Sequence, residues 1–466
     1  MARRRRRVSG RRRGSNKGLL FLLVLILIGA GAFYIYTSPK FEKTPPKISL
    51  AKEIYANDKK PLKISIFDNV SIKNAKVIIT NGSKEIMLFN QSFLLPQKEH
   101  EIQVAIPKEI AKEGGNWKIF VEVVDSSLWN FFLGNKAIAI SKLIIDNNPP
   151  KVSIIARSPS LTKGGTALVI AKVDDESLDK VFLTVNNNLT FTPIKYLKDN
   201  VYASLFVWPF NVDRVTPKLV AIDKAGNKIE YPIRINMLHR KFKVSKIKAS
   251  DKFIDGKISE LIASDPEFSN ITDKLEKFRA VNELMRKKNE ELIHKLSQKV
   301  TPIDANWRLN HFYPLHRAKK VADFGDHRFY YYKDPNNIIS TSYHLGLDLA
   351  SVRHDNIYSS NKGKVIFAAD NGIYGNMPLI DHGFGLYTIY GHCSRILVNK
   401  GDEVHKDEVI AKTGMTGLAL GDHLHFGVLV QGVEVYPQEW MNKNWIKNSI
   451  NDVFNRAKQI IGYNSK

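Results

Sequence analysis

The sequence predicts a mainly β chain entered through one N-terminal helix, and three observations carry that prediction. Residues 18–37 hold no charge. Two successive stretches of short β-rich runs, each roughly 100 residues long as β-sandwich domains are, open and close on the same motifs. From residue 301 onward, Gly and Asp-Gly turns cut short β-type runs throughout, and little helix is visible before residue 442.

The apolar run is long enough to cross a bilayer as a helix. Eight arginines and one lysine precede it in residues 1–17, and positive charge before a span holds that end in the cytoplasm. Residues 1–17 are therefore expected as a cytoplasmic segment and residues 18–37 as a single-pass transmembrane anchor in the cytoplasmic membrane. Everything after about residue 38 would then be extracytoplasmic, on the periplasmic or wall side. A cleaved signal peptide is the alternative, with Ala30-Gly31-Ala32 as a small-residue site. The continuation of the run through Phe33, Tyr34, Ile35 and Tyr36 favours the anchor.

Next comes an internal repeat. Pro45-Pro46-Lys47-Ile48-Ser49-Leu50 recurs as Pro149-Pro150-Lys151-Val152-Ser153-Ile154. Val121-Glu122-Val123-Val124-Asp125 leads to Gly134-Asn135-Lys136, and Leu219-Val220-Ala221-Ile222-Asp223 leads to Gly226-Asn227-Lys228. These units read as two immunoglobulin-like β-sandwiches, residues 44–146 and 147–240. Neither carries a catalytic cluster, so spacing, docking of envelope proteins or covering of a neighbouring domain is their expected work.

Residues 241–300 read as a helical linker. Ile271, Leu275, Phe278, Met285, Leu292 and Leu296 lie close to one stripe, with Ser269-Asn270 as a candidate cap. Irregular spacing in the stripe favours packing on a neighbouring domain over a coiled-coil seam. Residues 301–441 read as an antiparallel β-rich domain whose site lies in a groove between loops, and residues 442–466 as an amphipathic tail that packs back on it.

The formal charge of +24 invites a nucleic-acid reading, but removing the nine charges of residues 1–17 leaves +15, spread widely as single lysines. Anionic envelope polymers and lipid headgroups account for that as well as DNA does, and nucleic acid is not expected as a partner. Cys393 is the only cysteine, so no intramolecular disulfide can form. It reads as a buried small hydrophobe rather than a nucleophile.

Chemistry concentrates in Tyr343-His344-Leu345-Gly346-Leu347-Asp348, Tyr390-Gly391-His392 and His423-Leu424-His425. One carboxylate and four imidazoles suffice for a zinc site with a catalytic shell, because a zinc hydrolase needs three N/O ligands and an open position. In an extended segment Leu345, Leu347 and Leu349 share one face, leaving His344 and Asp348 on the other, and the same period sets His423 beside His425.

These motifs make residues 321–437 resemble the lysostaphin-type (M23) zinc endopeptidases, which cut peptidoglycan peptides. The resemblance rests on H-x-x-x-D at His344 and Asp348, Y-x-H ending at His392, and H-x-H followed by Phe426. The connecting segments Tyr374-Gly375-Asn376, Asp381-His382-Gly383, Gly401-Asp402-Glu403-Val404 and Thr413-Gly414-Met415-Thr416-Gly417 also look like the family. Asp422 stands where the family often has Pro, and Cys393 where Leu is common; neither departure removes a ligand.

The resemblance implies that His344, Asp348 and His425 bind one Zn²⁺ per chain, with His392 and His423 unligated beside the reactive water. His423 is favoured as general base and His392 as the oxyanion or leaving-group partner, though the motif leaves their order open. The implied function is hydrolysis of stems or cross-bridges of peptidoglycan in wall remodelling. The alternative is a catalytically silent member of the fold that binds the wall or activates another hydrolase. His311, His316, His327, His354 and His405 read as surface or loop residues, and His382 as structural. One hydroxyl among Tyr330, Tyr331, Tyr332 and Tyr343 is a candidate for reaching the oxyanion. Part of the region before Val300 is expected to cover the groove.

Overall fold

The computed structural model describes residues 17–95 and 97–463. It divides into two compact units, one running to Asn148 with Lys224–Asn227, the other Pro149–Asp223 with Lys228–Lys466. All but one residue of the Arg-rich segment, and the last three of the tail, lie outside the described residues.

In the first unit the apolar run forms the helix Lys17–Thr37. Its 21 residues span about 32 Å at 1.5 Å each, close to the hydrocarbon thickness of a bilayer. It is apolar on every side and none of its residues is buried. Ser38 caps the short turn Pro39–Phe41, with Pro at the first position, where its missing N–H costs nothing. The sandwich that follows packs five strands, in the order Glu53–Ala56, Lys136–Ile145, Gly115–Asp125, Ile72–Thr80 and Glu85–Ser92, on three, Lys47–Ser49, Leu62–Phe67 and Glu99–Val104. Alternation fills its core with Val77, Ile79, Ile119, Val121 and Val123 from one sheet and Ile64, Ile66, Ile102 and Val104 from the other. The repeated Gly-Asn-Lys has a physical cause here. Gly134 has φ +86° and a Cβ on it would sit 2.5 Å from the Asp125 carbonyl oxygen, while Asp125 Oδ1 accepts the Asn135 N–H at 2.7 Å.

The second unit begins with another sandwich. Ile194–Tyr196, Lys198–Val207, Thr166–Asp174 and Lys151–Arg157 form one sheet; Leu189–Phe191, Leu178–Val185, Pro217–Asp223 and Lys228–Pro232 form the other. The peptidase-type region is built on an eight-stranded sheet paired antiparallel throughout. At its centre Leu424–Val430 lies between Leu347–Ala350 and Leu386–Gly391. All seven residues of Leu424–Val430 are buried, as in a strand covered on both faces.

Period-2 alternation decides what covers each face. Leu424, Phe426, Val428 and Val430, with Leu386, Tyr390 and Ile380, point into a core shared with the second sandwich and the C-terminal helices. Leu429, Tyr387, Ile389, Met377 and Leu379 point the other way, into a core completed by the helical segment. The helices after Pro437 wedge into the first of these cores. Phe454 touches Tyr196 of the sandwich and Trp307 and Phe384 of the sheet domain, at ring distances of 5.0, 5.6 and 5.7 Å. The buried Glu439 takes Arg240 at 3.1 Å and the Thr166 N–H at 3.2 Å.

The helical segment differs from its sequence reading in three respects. It breaks after Ser264, because Pro266 disfavours helical backbone at Asp265, which is extended. It restarts at Lys274 with Asp273, not Ser269-Asn270, as the cap, accepting from Leu275 and Glu276 N–H. Finally, Leu292 is exposed and Ile293 buried. The turn Ala280–Met285 is π-helical, and its extra residue moves the inward stripe on by about one position. The strand Val244–Lys248, just before these helices, pairs in parallel with His327–Tyr331.

Both sheet faces thus depend on chain outside residues 300–442. A fragment of residues 300–466 is expected to lack a cooperative thermal transition and to aggregate, whereas residues 149–466 unfold cooperatively; near-ultraviolet circular dichroism on heating checks both. Phe454→Ala in the longer fragment should cost about 3–5 kcal/mol in denaturant unfolding.

Candidate metal centre

Cross-strand register assembles the site. Asp348 lies directly opposite His425, and His425 lies directly opposite Gly391, so three neighbouring strands deliver Asp348, His425 and, one residue on, His392 to the same end of the sheet. His423 lies two residues before His425, where Leu424–Val430 begins, bridged to Gly414. His344 is not on the strand with Asp348, as the alternation predicts; it lies in the loop after Ile338–Tyr343. That loop closes only because residue 346 is glycine, since a Cβ there would come within 2.4 Å of His425 Nε2.

His344 Nε2, His425 Nδ1 and Asp348 Oδ1 lie 3.0–3.1 Å from one another. His344 Nδ1–H donates to the Asp323 carbonyl at 2.8 Å, which leaves its Nε2 lone pair facing the other two atoms. His425 Nε2 is buried without a partner, so Nδ1 is the nitrogen His425 offers. Such a set is repulsive unless a cation or proton lies within it. Tetrahedral bonds of zinc length separate neighbouring ligand atoms by about 3.3 Å, so the three atoms are spaced as such an ion needs. Burial opposes ionisation of Asp348, but His344 and His425 beside it hold its carboxyl well below its ordinary value. Burial pushes His425 down to about 4.

The other two histidines stand beside this set. His423 Nε2 is 3.6 Å from Asp348 Oδ1, and the His392 ring lies 4.8 Å from that of His423 and 5.7 Å from that of His425. Each ties its Nδ1–H to a backbone carbonyl, His423 to Gly421 at 2.7 Å and His392 to Thr416 at 2.8 Å, so each turns Nε2 toward the centre. Burial, with His423 and His425 nearby, lowers His392 to about 3 and keeps it neutral. His392 also has φ +63°, a conformation costly for a residue with a side chain and one that clusters at functional sites.

The centre opens into a cavity of about 860 Å³. Its far wall is the helical segment and the strand before it, through Lys248, Lys252, Phe253, Phe278, Asn282 and Arg286. Among the described residues no carboxylate, thiolate or imidazole from that wall joins the three candidate ligands. Lys248, Lys252, Lys257, Arg286 and Arg328 line the cavity with Asp348 and Asp422; Lys257, Arg286 and Arg328 are paired with Glu260, Glu290 and Asp326.

Sequence reasoning missed the supports. Tyr374 packs edge-on to His425 at 5.4 Å, and its carbonyl accepts the His392 N–H at 2.8 Å. Asn289, on the helix Arg286–Leu296, holds that turn through the Ile373 N–H at 2.9 Å. The glycine-spaced segments 374–376 and 413–417 were the available signal; which helix reaches them was not. Tyr330 lines the cavity with its ring against Phe278. His382 is buried between the Lys362 carbonyl and Thr388, remote from the centre's hydrogen bonds, and burial lowers it to about 4. Cys393 is fully buried, and burial raises its thiol.

An antiparallel sheet carrying Asp348 and His425, closed by a loop carrying His344, thus presents three donors to one ion-sized gap. Residues 342–437 match Peptidase family M23, and the chain carries an M23 domain in its C-terminal part. It is 29% identical over 145 residues to peptidoglycan DD-endopeptidase ShyA of Vibrio cholerae, covering 31% of this chain and 30% of that protein. With ShyB of the same organism it shares 41% identity over 88 residues, 19% of this chain and 21% of the relative. The chain thus spans less than a third of the length of these relatives. A zinc-containing peptidase of Vibrio cholerae aligns at TM-score 0.26 and 15% identity, over 70% of this chain and 81% of that one.

The helix that supports Tyr374 carries its own titration. Burial lifts Glu290 to about 7, from an ordinary 4.5, with Arg286 3.8 Å away. The folded chain therefore keeps a proton that the unfolded chain releases near pH 4.5, and stability falls as pH rises from about 4.5 to about 7. His294, raised mainly by its hydrogen bond to Glu434, acts in the same direction: its contribution is present below its ordinary value of 6.5 and is lost as pH passes its raised one. Glu290→Gln is expected to stabilise the second unit at pH 8 by up to roughly 3 kcal/mol and to change little at pH 4.5, measured by denaturant unfolding at the two pH values.

Proposed function

We propose that this chain is a membrane-anchored, zinc-dependent endopeptidase that hydrolyses stems or cross-bridges of peptidoglycan. The observation that carries the reading is the convergence of His344, Asp348 and His425 on one gap, with two further histidines turning Nε2 toward it. Zinc held there would supply Lewis-acid activation of water and of the scissile carbonyl. His423 Nε2, its tautomer fixed by Gly421, takes the proton of the attacking water. His392, kept neutral by burial, donates through Nε2 to the developing oxyanion or the leaving amine once a proton has reached it. Lys248 and Lys252 on the cavity wall suit wall peptides, which carry free carboxylates.

An intact donor set supports the enzyme over a silent regulator, which has no use for two proton-transfer histidines beside a metal. The M23 domain and the endopeptidase relatives support the wall peptide as substrate. Helix Lys17–Thr37 supports the anchor, with residues 1–17 inside and everything after about residue 38 outside the cytoplasmic membrane.

His344→Ala, Asp348→Ala and His425→Ala should each lose zinc and activity, by metal analysis and digestion of purified sacculi with the full chain. His392→Ala and His423→Ala should keep zinc and lose turnover by roughly 10²-fold or more. Zinc retained in the His425 variant, or lost in the His423 variant, would reverse the roles of that pair. Protease added to intact spheroplasts should digest both units and leave a short Arg-rich stub; protected units would refute the exported topology.

A further inference from the structure

Among the described residues, the first unit carries a group of carboxyls with no ion-pair partner. Glu42, Asp68 and Asp125 converge at one end of the sandwich, one oxygen of each within 4.8 Å of the others. Asp68 and Asp125 are 1% and 0% exposed. The ion pairs among this unit's described residues, Lys63–Glu101, Lys84–Glu113, Lys136–Glu122 and Lys142–Glu53, involve none of the three. Asn135 Nδ2 donates to Glu42 Oε1 and Asp125 Oδ2, and Asp68 Oδ1 accepts the Val70 N–H at 2.8 Å. Asp68 Oδ2 is shut off from solvent and has no donor at all. Burial, with the Asp125 charge alongside, lifts both Asp68 and Glu42 above their ordinary values. Asp125 is satisfied by the Ser127 and Asn135 N–H groups and Asn135 Nδ2, but a buried carboxylate oxygen left without a donor, as Asp68 Oδ2 is, needs a cation or a proton.

The repeat argues for the cation. Asp146 precedes Pro149-Pro150-Lys151 as Glu42 precedes Pro45-Pro46-Lys47. Asp175 follows the residue opposite Lys151, as Asp68 follows the residue opposite Lys47. Asp223 precedes Gly226-Asn227-Lys228 as Asp125 precedes Gly134-Asn135-Lys136. The second set converges as the first does, with one oxygen each of Asp146, Asp175 and Asp223 within 4.8 Å of the others.

We propose that Glu42, Asp68 and Asp125 bind a hard divalent cation of the calcium class. The donors are all oxygens in an irregular array, with the Ser71 and Ser126 hydroxyls bonded to each other across the adjoining segments. Calcium accepts six to eight oxygens in flexible geometry, whereas magnesium demands near-octahedral order. Glu42 lies just beyond the apolar helix, and its carbonyl already accepts from Ser127 Oγ at 2.7 Å and Asn135 Nδ2 at 2.9 Å. The cation therefore fastens the segment that follows the helix to the end of the sandwich and stiffens the joint between them.

The test uses the full-length chain in detergent, stripped with EDTA and titrated with calcium chloride by calorimetry, with thermal unfolding followed in parallel. Wild type is expected to bind calcium with half-saturation at about 10⁻⁴–10⁻³ M, the range of extracellular modules, and to gain Tm in calcium but not in equal magnesium. Asp68→Asn keeps the Val70 acceptor and removes the charge. It should bind at least one equivalent fewer, lose at least part of the calcium-dependent gain, and unfold no earlier than wild type in EDTA. Equal calcium stoichiometry in the two proteins, or earlier unfolding of the variant in EDTA, would overturn the proposal. Should the variant fail to fold, wild-type terbium emission sensitised by Trp129, displaced by calcium and lost in Trp129→Phe, gives the second reading; no displaceable emission overturns it.

Discussion

A strand buried on both faces can carry polar side chains only where something satisfies them, and Leu424–Val430 is such a strand. His425 is the polar residue in its otherwise apolar sequence, and it sits at the end where the cover opens. Everything else about the site follows from holding that strand in place. Register brings Asp348 beside His425, the loop at Gly346 lets His344 close on both, and the turn at Tyr374 sets the backbone of His392. Two donor atoms of the gap are thus fixed by the sheet, and the third, on His344, by the loop that Gly346 lets close.

The two faces of the sheet are covered by chain of different origin, and this makes the peptidase-type region a part of a larger unit. One face takes the second sandwich and the C-terminal helices; the other takes the helices between them. The helical wall has two roles at once. It buries Met377, Leu379 and Leu429, and it supplies the cationic side of the cavity. Asn289 links the two roles, because the bond that docks its helix also positions the turn that His392 leans on.

How much of this was legible in the sequence depended on the range of the interaction. The candidate ligands were readable because each lies in a short motif whose alternation or spacing can be seen locally. The apolar helix, the two sandwiches and their repeat were readable for the same reason, since period 2 and turn residues are local signals. Alternation along Leu424–Val430 also shows that opposite faces exist, but not what covers them; that depends on the second sandwich and the helical segment, more than a hundred positions away, as well as on the C-terminal helices. The helical stripe slipped at Leu292 because a π-helical turn upstream breaks the 3.6-residue period on which the reading relied. Asp273 was passed over as a cap because Ser269-Asn270, just before the first apolar residue of the stripe, offers the same side-chain chemistry.

The wedge formed by the C-terminal helices has a consequence in time. Trp440, Ile450 and Phe454 leave the ribosome after every strand they cover in the second unit. From the emergence of residue 300 to that of residue 461, synthesis takes roughly 10–30 s. Throughout that interval the sheet that carries the candidate ligands lacks one of its covers. Closure of that core is therefore clocked by the completion of translation, and a nascent chain stalled short of residue 440 presents an open, apolar sheet face.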